Sequence, residues 1–137
     1  MVDLTRPGES GLEVEEIWRN KAMKNHFNSS VLHEGHVYGF DNAMLKCVSI
    51  ETGEPCWAKR GLGKGSLILA GEQLVVLSDR GKLALAAATP EGYCEAASFQ
   101  ALEGKSWTAP SYAAGRLYLR NQTEMIAIDL GGEEVAP

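Results

Sequence analysis

The chain has 137 residues, of which 45% are hydrophobic and 23% are charged, and its formal net charge is −5. This length and composition suit one globular domain with its own hydrophobic core. The acidic balance argues against a nucleic-acid partner, because phosphate binding needs a basic surface. No apolar run approaches the ~20 residues that cross a bilayer, so membrane insertion is not expected.

The first segment, residues 1–12, is polar and rich in glycine and proline, which predicts a flexible leader. It has no apolar core and does not resemble a signal peptide, so the chain as written is expected to be cytoplasmic. Residues 13–19 alternate polar and apolar side chains and predict a strand that ends on Trp18, with a short helix as the alternative. Residues 20–28 are a polar connection.

Residues 28–60 form the first repeating unit. Strands are predicted at 29–32, 36–40, 44–50 and 55–60, and the last of them contains Trp57. The intervening turns contain Gly35, the pair Asp41-Asn42, and Thr52-Gly53, residue types that favour tight turns.

The same pattern returns in residues 64–100 and 106–130, and residues 133–137 are a tail. Strands are predicted at 66–69, 73–77, 82–86 and 93–100, and then at 107–112, 116–120 and 125–130. Gly35, Gly71 and Gly115 each lie in the first turn of a unit, 36 and 44 residues apart. The third unit has no sequence left for a fourth strand.

Four short strands that repeat with a period of ~40 residues indicate the blades of a β-propeller. A sandwich or a small barrel is the alternative, but neither requires turns that recur in register. We therefore predict an all-β chain of four-stranded antiparallel blades, numbered 1 to 3 in chain order. The strand at 13–19 and the three strands at 106–130 together supply one of these blades.

Propellers have about four to eight blades, so three blades should not close into a ring. Either the chain is a piece of a longer propeller or several copies assemble. We prefer a homodimer, in which each chain lends its Trp18 strand to the last blade of its partner and completes a six-bladed ring. Three chains would make nine blades.

The hairpin from Cys47 to Trp57 resembles the tryptophan-docking repeat of pyrroloquinoline-quinone (PQQ) type propellers, whose consensus is Ala-x-Asp-x-x-Thr-Gly-x-x-x-Trp. Thr52, Gly53 and Trp57 match it, whereas cysteine and serine replace the alanine and aspartate. A second copy begins at Ala127-Ile128-Asp129. The resemblance implies a structural role in blade docking and ring closure for five residues: Trp18, Thr52, Gly53, Trp57 and Asp129.

Within that family, the resemblance is to the non-enzymatic branch that includes the outer-membrane assembly lipoprotein and related repeat proteins, which are often periplasmic or exported. It implies a binding or assembly scaffold and not an enzyme. Quinoprotein dehydrogenases need a vicinal disulfide over PQQ and carboxylates around calcium, and the chain has no Cys-Cys pair. PQQ and calcium are therefore not expected. A fragment of a PQQ-dependent dehydrogenase, or of another propeller enzyme, is the alternative.

The innermost strand of each propeller blade, with the segment leading into it, lines the central channel. In this chain the segments that lead into the innermost strands are basic and polar, although the chain as a whole is acidic. They are therefore expected to bind a protein, or a small polar ligand that is anionic or hydroxylated. The alternative is that they only connect blades. The predicted ligand-binding residues at this channel mouth are Lys24, Asn25, His26, Asn28, Lys64, Lys105 and Trp107.

The remaining metal-ligating and nucleophilic side chains suggest no further site. His33 and His36 could begin a zinc site, but no third ligand is in view. A turn at 51–54 would place Cys47 opposite Ala58 and Cys56 opposite Ser49, too far apart for an unstrained disulfide. The three cysteines, including Cys94, are therefore predicted to be small buried hydrophobic residues.

Overall fold

The computed structural model describes residues 2–4 and 14–131. The described residues contain thirteen β-strands and no helix. In chain order the strands are β1 (Val2–Leu4), β2 (Val14–Glu16), β3 (Val31–His33), β4 (His36–Asp41), β5 (Met44–Ser49), β6 (Pro55–Lys59), β7 (Ser66–Ala70), β8 (Gln73–Leu77), β9 (Lys82–Ala87), β10 (Glu95–Gln100), β11 (Ser111–Ala113), β12 (Arg116–Arg120) and β13 (Met125–Asp129).

Strands β3 to β13 form three antiparallel sheets in which each strand pairs with the next in sequence, and β1 and β2 form a separate two-stranded sheet. Blade 1 has the order β3-β4-β5-β6, blade 2 has β7-β8-β9-β10, and the described part of blade 3 has β11-β12-β13. Short turns make this connection possible. In the first turns of blades 1 and 3, Glu34-Gly35 and Ala114-Gly115 all have positive φ, the geometry that matches the twist of two-residue hairpins.

The repeat predicted from the turns is confirmed by the strand register. In blade 1 one row of partners joins Val31, Tyr38, Cys47 and Trp57. The equivalent rows are Ile68, Val75, Leu85 and Ala97 in blade 2, and Ser111, Tyr118 and Ala127 in blade 3. Blades 1 and 2 also share a register irregularity between their third and fourth strands.

The core consists of two layers, one on each face of blade 2. Strand β8 shows why its sequence is apolar throughout. Leu74 and Val76 pack with Tyr38 and other residues of blade 1, whereas Val75 and Leu77 pack with residues of blade 3 such as Leu117. Successive side chains of a strand point to opposite faces, so a strand in a middle blade has both faces buried.

Two predicted strands differ from the structure. The strand predicted at 13–19 is Val14–Glu16, which ends before Trp18, and it pairs with Val2–Leu4, a segment predicted to be part of a flexible leader. The strand predicted at 107–112 is Ser111–Ala113. Pro110 has no N–H group for a strand ladder, which accounts for the later start. Residues 5–13 and the predicted tail at 133–137 lie outside the described residues.

The cysteine register predicted from the turn was wrong. Cys47 pairs with Trp57 instead of Ala58, and Val48 pairs with Pro55, which leaves Cys56 as an extra residue between two ladder positions. The extra residue is a β-bulge, which alternation of side chains does not reveal. Cys47 is fully buried as predicted, but Cys56 and Cys94 are exposed.

Candidate functional site

The segments that lead into the innermost strands occupy equivalent positions in the three blades. The innermost strands can be aligned through Val31, Ile68 and Ser111, which pair with equivalent residues of the second strands. Four residues before each of these positions the sequence has Phe27, Lys64 and Trp107. Two predicted residues, Lys64 and Trp107, therefore share a repeat position with Phe27, which the sequence reasoning did not select.

Phe27 and Trp107 form an exposed aromatic contact between blades 1 and 3. Their ring centroids lie 6.0 Å apart, and the ring of His26 lies 3.9 Å from that of Phe27. The ammonium group of Lys105 lies 5.2 Å from the Trp107 ring centroid, within the range of a cation–π interaction. Phe27 is 68% exposed and Trp107 is 48% exposed. The rings and the two basic side chains thus form one accessible surface.

The other predicted channel-mouth residues differ in their contacts. Asn28 donates a hydrogen bond of 2.7 Å from Nδ2 to the carbonyl oxygen of Gly65, which joins the lead-in segments of blades 1 and 2. Asn25 bonds locally, since its Nδ2 donates to Ser30 Oγ. The backbone N–H of Lys24 donates to Asp41. Lys24, Asn25 and Lys64 have exposed side chains.

Trp18 and Trp57 make the same bond to successive blades. The indole N–H of Trp18 donates to the carbonyl oxygen of Ile50 at 2.8 Å, and that of Trp57 donates to the carbonyl oxygen of Thr89 at 2.8 Å. In both cases the acceptor lies 32 residues later, in the turn that follows a third strand. Both indoles are half-buried. Trp57 thus attaches blade 1 to blade 2, and Trp18 is attached to blade 1.

The Thr52-Gly53 turn holds the Trp18 segment. Gly53 is buried with φ +75°, and a Cβ atom at this position would lie 2.8 Å from the Trp18 ring. Its carbonyl oxygen accepts a 2.6 Å hydrogen bond from Asn20 Nδ2. Thr52 closes the turn, since its hydroxyl oxygen accepts from the backbone N–H of Glu54 at 3.2 Å.

Asp129 is the last residue of β13 and precedes the turn that follows the third strand of blade 3. Its Oδ1 accepts a hydrogen bond of 2.8 Å from the backbone N–H of Gly131, and its Oδ2 lies 3.5 Å from Arg116 Nε. Ser49, at the equivalent position of blade 1, accepts from the backbone N–H of Thr52 at 3.4 Å. Either side chain can therefore shape the turn after a third strand, as small polar residues commonly do.

In the part of the chain that the structure describes, two carboxyl groups have lowered pKa values, and each is explained by local partners. A hydrogen bond from Lys46 lowers the pKa of Asp41 in blade 1. In blade 2, a hydrogen bond from Ser98 is the main cause of the lowered pKa of Glu95. Neither carboxyl group is a cause of the other's shift, since Lys46 and Lys24 act on Asp41, and Ser98, Tyr93 and Lys82 act on Glu95.

Among residues 14–131, no group of three histidine, cysteine or acidic side chains could hold a metal ion. His33 and His36 do pair across the first turn of blade 1, and Nδ1–H of His36 donates to the Glu34 carbonyl oxygen at 2.8 Å. In the same part of the chain, no helix has the length and apolar character needed to cross a membrane.

No protein-family model and no curated protein matches the chain. Among solved structures, the crystal structure of BamB from Moraxella catarrhalis superimposes with a TM-score of 0.58 at 15% sequence identity. The match covers 72% of this chain but only 29% of that one, so the chain spans less than a third of its length. Together with the sheet architecture, this likeness shows that the chain has the β-propeller fold with four-stranded antiparallel blades.

Proposed function

We propose that the chain is a non-catalytic propeller module of the PQQ-like repeat type, a binding or assembly scaffold that associates with a second copy by strand exchange. One observation carries the proposal. Trp18 is hydrogen-bonded to blade 1 as Trp57 is to blade 2, with the same spacing of 32 residues. Trp57 belongs to the outer strand of the preceding blade, so the Trp18 segment corresponds to the outer strand of a blade that precedes blade 1.

Blade 3 of a second copy is the partner that suits this segment. Within the described residues, no strand lies beyond β13, and Met125 on this edge is 66% exposed. Unpaired strand edges favour association with another strand. Because Trp57 pairs with Cys47, Trp18 in the proposed assembly would lie opposite the partner's Ala127. Strand β1 occupies one edge of β2, and the partner would use the other.

Light scattering coupled to size exclusion tests this assembly. The wild-type chain should have the mass of a dimer, and Trp18→Ala should shift it to a folded monomer because the docked segment is released. Trp107→Ala is the matched control and should leave the dimer intact, since Trp107 precedes β11, on the opposite side of blade 3 from β13. A wild-type chain that is folded and monomeric at all concentrations would overturn strand exchange between copies. The remaining interpretation would be that the chain is a piece of a longer propeller.

The enzymatic alternative has a separate test. A fragment of a quinoprotein dehydrogenase would need PQQ and calcium, so the chain should be incubated with both and assayed with an alcohol and a redox dye. We expect no dye reduction above the rate without protein. Alcohol-dependent reduction that requires both additions would replace the scaffold by an enzyme.

The channel mouth supports a second role, binding of an anionic and hydroxylated small ligand. The exposed rings of Phe27 and Trp107 can stack on a sugar face, and Lys105 supplies a positive charge beside them. An oligogalacturonate has both properties and can serve as the probe. We expect the probe to change tryptophan fluorescence when it binds. Phe27→Ala or Lys105→Gln should weaken binding of the probe at least fivefold. Lys59→Gln, on the outer strand of blade 1, is the control. No response from the wild type would exclude this ligand class.

A further inference from the structure

The β-bulge in blade 1 brings two cysteines together. Strand β5 pairs Cys47 with Trp57 and Val48 with Pro55, so Cys56 is the extra residue of β6. In a bulge, two residues of one strand face a single residue of its neighbour. Cys56 and Trp57 therefore both lie opposite Cys47. Blade 2 has a register shift at the same place, between Glu95 and Ala97, but no cysteines there.

Cys47 lies between Tyr38 and the bulge in the strand ladder. Strand β5 pairs Cys47 with Tyr38 of β4 on one side and with Trp57 of β6 on the other, and Cys56 is the bulged residue beside Trp57. Burial, followed by the neighbouring Cys56, raises the pKa of Cys47 to about 12. Cys47 is thus a buried thiol that lies opposite the exposed Cys56 in the bulge, whereas Cys94 is exposed and lies in the turn before β10 of blade 2.

We propose that Cys47 and Cys56 form a reversible intramolecular disulfide that fastens the outer strand of blade 1 to the strand beside it. The oxidant is a low-molecular-weight disulfide such as glutathione disulfide. The exposed Cys56 thiolate attacks one glutathione sulfur, forms a mixed disulfide and releases one glutathione thiolate. Cys47 then gives up its proton and attacks the Cys56 sulfur, and the second glutathione leaves as a thiolate that takes up this proton. Two protein thiols are oxidised and one glutathione disulfide is reduced to two glutathione molecules.

The position of the bond gives it a structural consequence. Strand β6 is the least buried strand of blade 1, and only its Trp57 side chain is partly covered. A cross-link at Cys56 would hold β6 beside β5 immediately next to Trp57, the residue that attaches blade 1 to blade 2. Oxidation should therefore slow local opening of the outer strand without a change of fold. This effect is independent of the proposed assembly of two copies.

Mass spectrometry of the intact chain tests the proposal. The protein is equilibrated with reduced and oxidised glutathione, alkylated in denaturant and digested with trypsin. Cleavage after Lys46 and Lys59 releases both cysteines in a single peptide, residues 47–59. We expect this peptide to be two hydrogens lighter than its reduced form and to carry no alkyl group. Cleavage after Glu51 should leave its halves joined until a reductant is added.

Two controls make the outcome specific. Cys94 should be alkylated or glutathionylated in the same sample, and Cys94→Ser should not change the yield of the linked peptide. Cys47→Ser should leave Cys56 as a mixed disulfide with glutathione. The ratio of the internal disulfide to the mixed disulfide should be at least about tenfold higher in the folded chain than in urea, because the bulge raises the effective concentration of the second thiol. An equal ratio, or mixed disulfide alone in the folded chain, would overturn the proposal.

Discussion

The indole nitrogen of Trp57 lies 2.8 Å from the carbonyl oxygen of Thr89, so the outer strand of blade 1 is hydrogen-bonded to the outer turn of blade 2. The same ring lies 6.0 Å from the rings of both Tyr38 and Tyr93. Tyr38 belongs to blade 1 and Tyr93 to blade 2. Trp57 thus combines a directional bond with apolar contact on both sides of the blade interface, and its two contributions can be separated by mutation.

Trp57→Phe should remove the bond to Thr89 and keep most of the ring contacts, which should lower the free energy of unfolding by about 1 kcal/mol. Trp57→Ala removes the contacts as well and should cost about 2–4 kcal/mol, less than a fully buried ring would. Urea denaturation followed by circular dichroism measures both. Trp107→Phe, at an exposed tryptophan, should stay within about 0.5 kcal/mol of the wild type. If Trp57→Phe and Trp57→Ala lowered the free energy of unfolding equally, the ring contacts would add nothing to the hydrogen bond, contrary to this prediction.

The Gly53 turn provides a test of Trp18 docking that leaves the tryptophan in place. Gly53→Ala and Gly71→Ala both put a side chain on a residue with positive φ, which should cost each variant about 1–2 kcal/mol. At Gly71 the new methyl group would meet nothing within 4 Å, whereas at Gly53 it would lie 2.8 Å from the Trp18 ring. Gly53→Ala should therefore cost about 1–3 kcal/mol more and change tryptophan fluorescence.

Urea denaturation of both glycine variants, with emission spectra of the folded state, makes the comparison. If the two substitutions lower stability equally and leave the emission unchanged, Trp18 is not held against this turn. If only Gly53→Ala shifts the emission, the contact between Gly53 and Trp18 is present in solution.

The sequence predicted the repeat because turns are a local property. Gly35, Gly71 and Gly115 lie in the first turns because tight hairpins need positive φ, which glycine adopts at little cost. Strand β8 was predictable because a strand buried on both faces is apolar throughout. The β-bulge at Cys56 was not predictable, because one extra residue leaves the composition of a short strand unchanged and alters only its pairing. The cysteine register failed for that reason.

The surface formed by Phe27, Lys105 and Trp107 could be inferred only in part from the sequence, for a similar reason. Lys105 and Trp107 were selected because they precede an innermost strand, and the structure places their side chains in contact. Phe27 was passed over because the polar residues around it have no periodicity from which to infer its direction. Aligning the three lead-in segments on their strands would have selected it, since Phe27, Lys64 and Trp107 share one position. That alignment needs strand pairing that is correct to a single residue, and the third innermost strand was predicted to begin four residues too early.

The ion pair of Asp41 and Lys46 predicts how stability depends on pH. Lys46 Nζ lies 2.6 Å from Asp41 Oδ2, and the two side chains are 14% and 10% exposed. The hydrogen bond from Lys46 lowers the pKa of Asp41 in the folded chain. A carboxyl group with a lowered folded pKa stabilises the protein above its unfolded pKa, about 3.9. This stabilisation is lost as the pH falls through the folded value.

Asp41→Asn should therefore be less stable than the wild type at pH 7, by about 1–3 kcal/mol, because a charge-assisted hydrogen bond is lost. The difference should shrink on acidification and vanish below both pKa values of Asp41. Urea denaturation at a series of pH values measures it, and NMR titration of the Asp41 carboxyl group gives its folded pKa directly. A constant difference across the acid range would mean that Asp41 acts through its shape and not its charge.

Asn28 joins the lead-in segments of blades 1 and 2 through its 2.7 Å hydrogen bond to the Gly65 carbonyl oxygen. Asn28→Asp keeps the shape of the side chain but places an acceptor against an acceptor. It should lower the free energy of unfolding by about 1–3 kcal/mol at neutral pH. Asn25→Asp is the matched control, because the exposed Asn25 bonds only to nearby Ser30 and should lose less than about 0.5 kcal/mol. Since Phe27 is the neighbour of Asn28, the first variant should also change Trp107 emission. Equal stability losses in the two variants would show that the hydrogen bond of Asn28 to Gly65 does not stabilise the contact between blades 1 and 2.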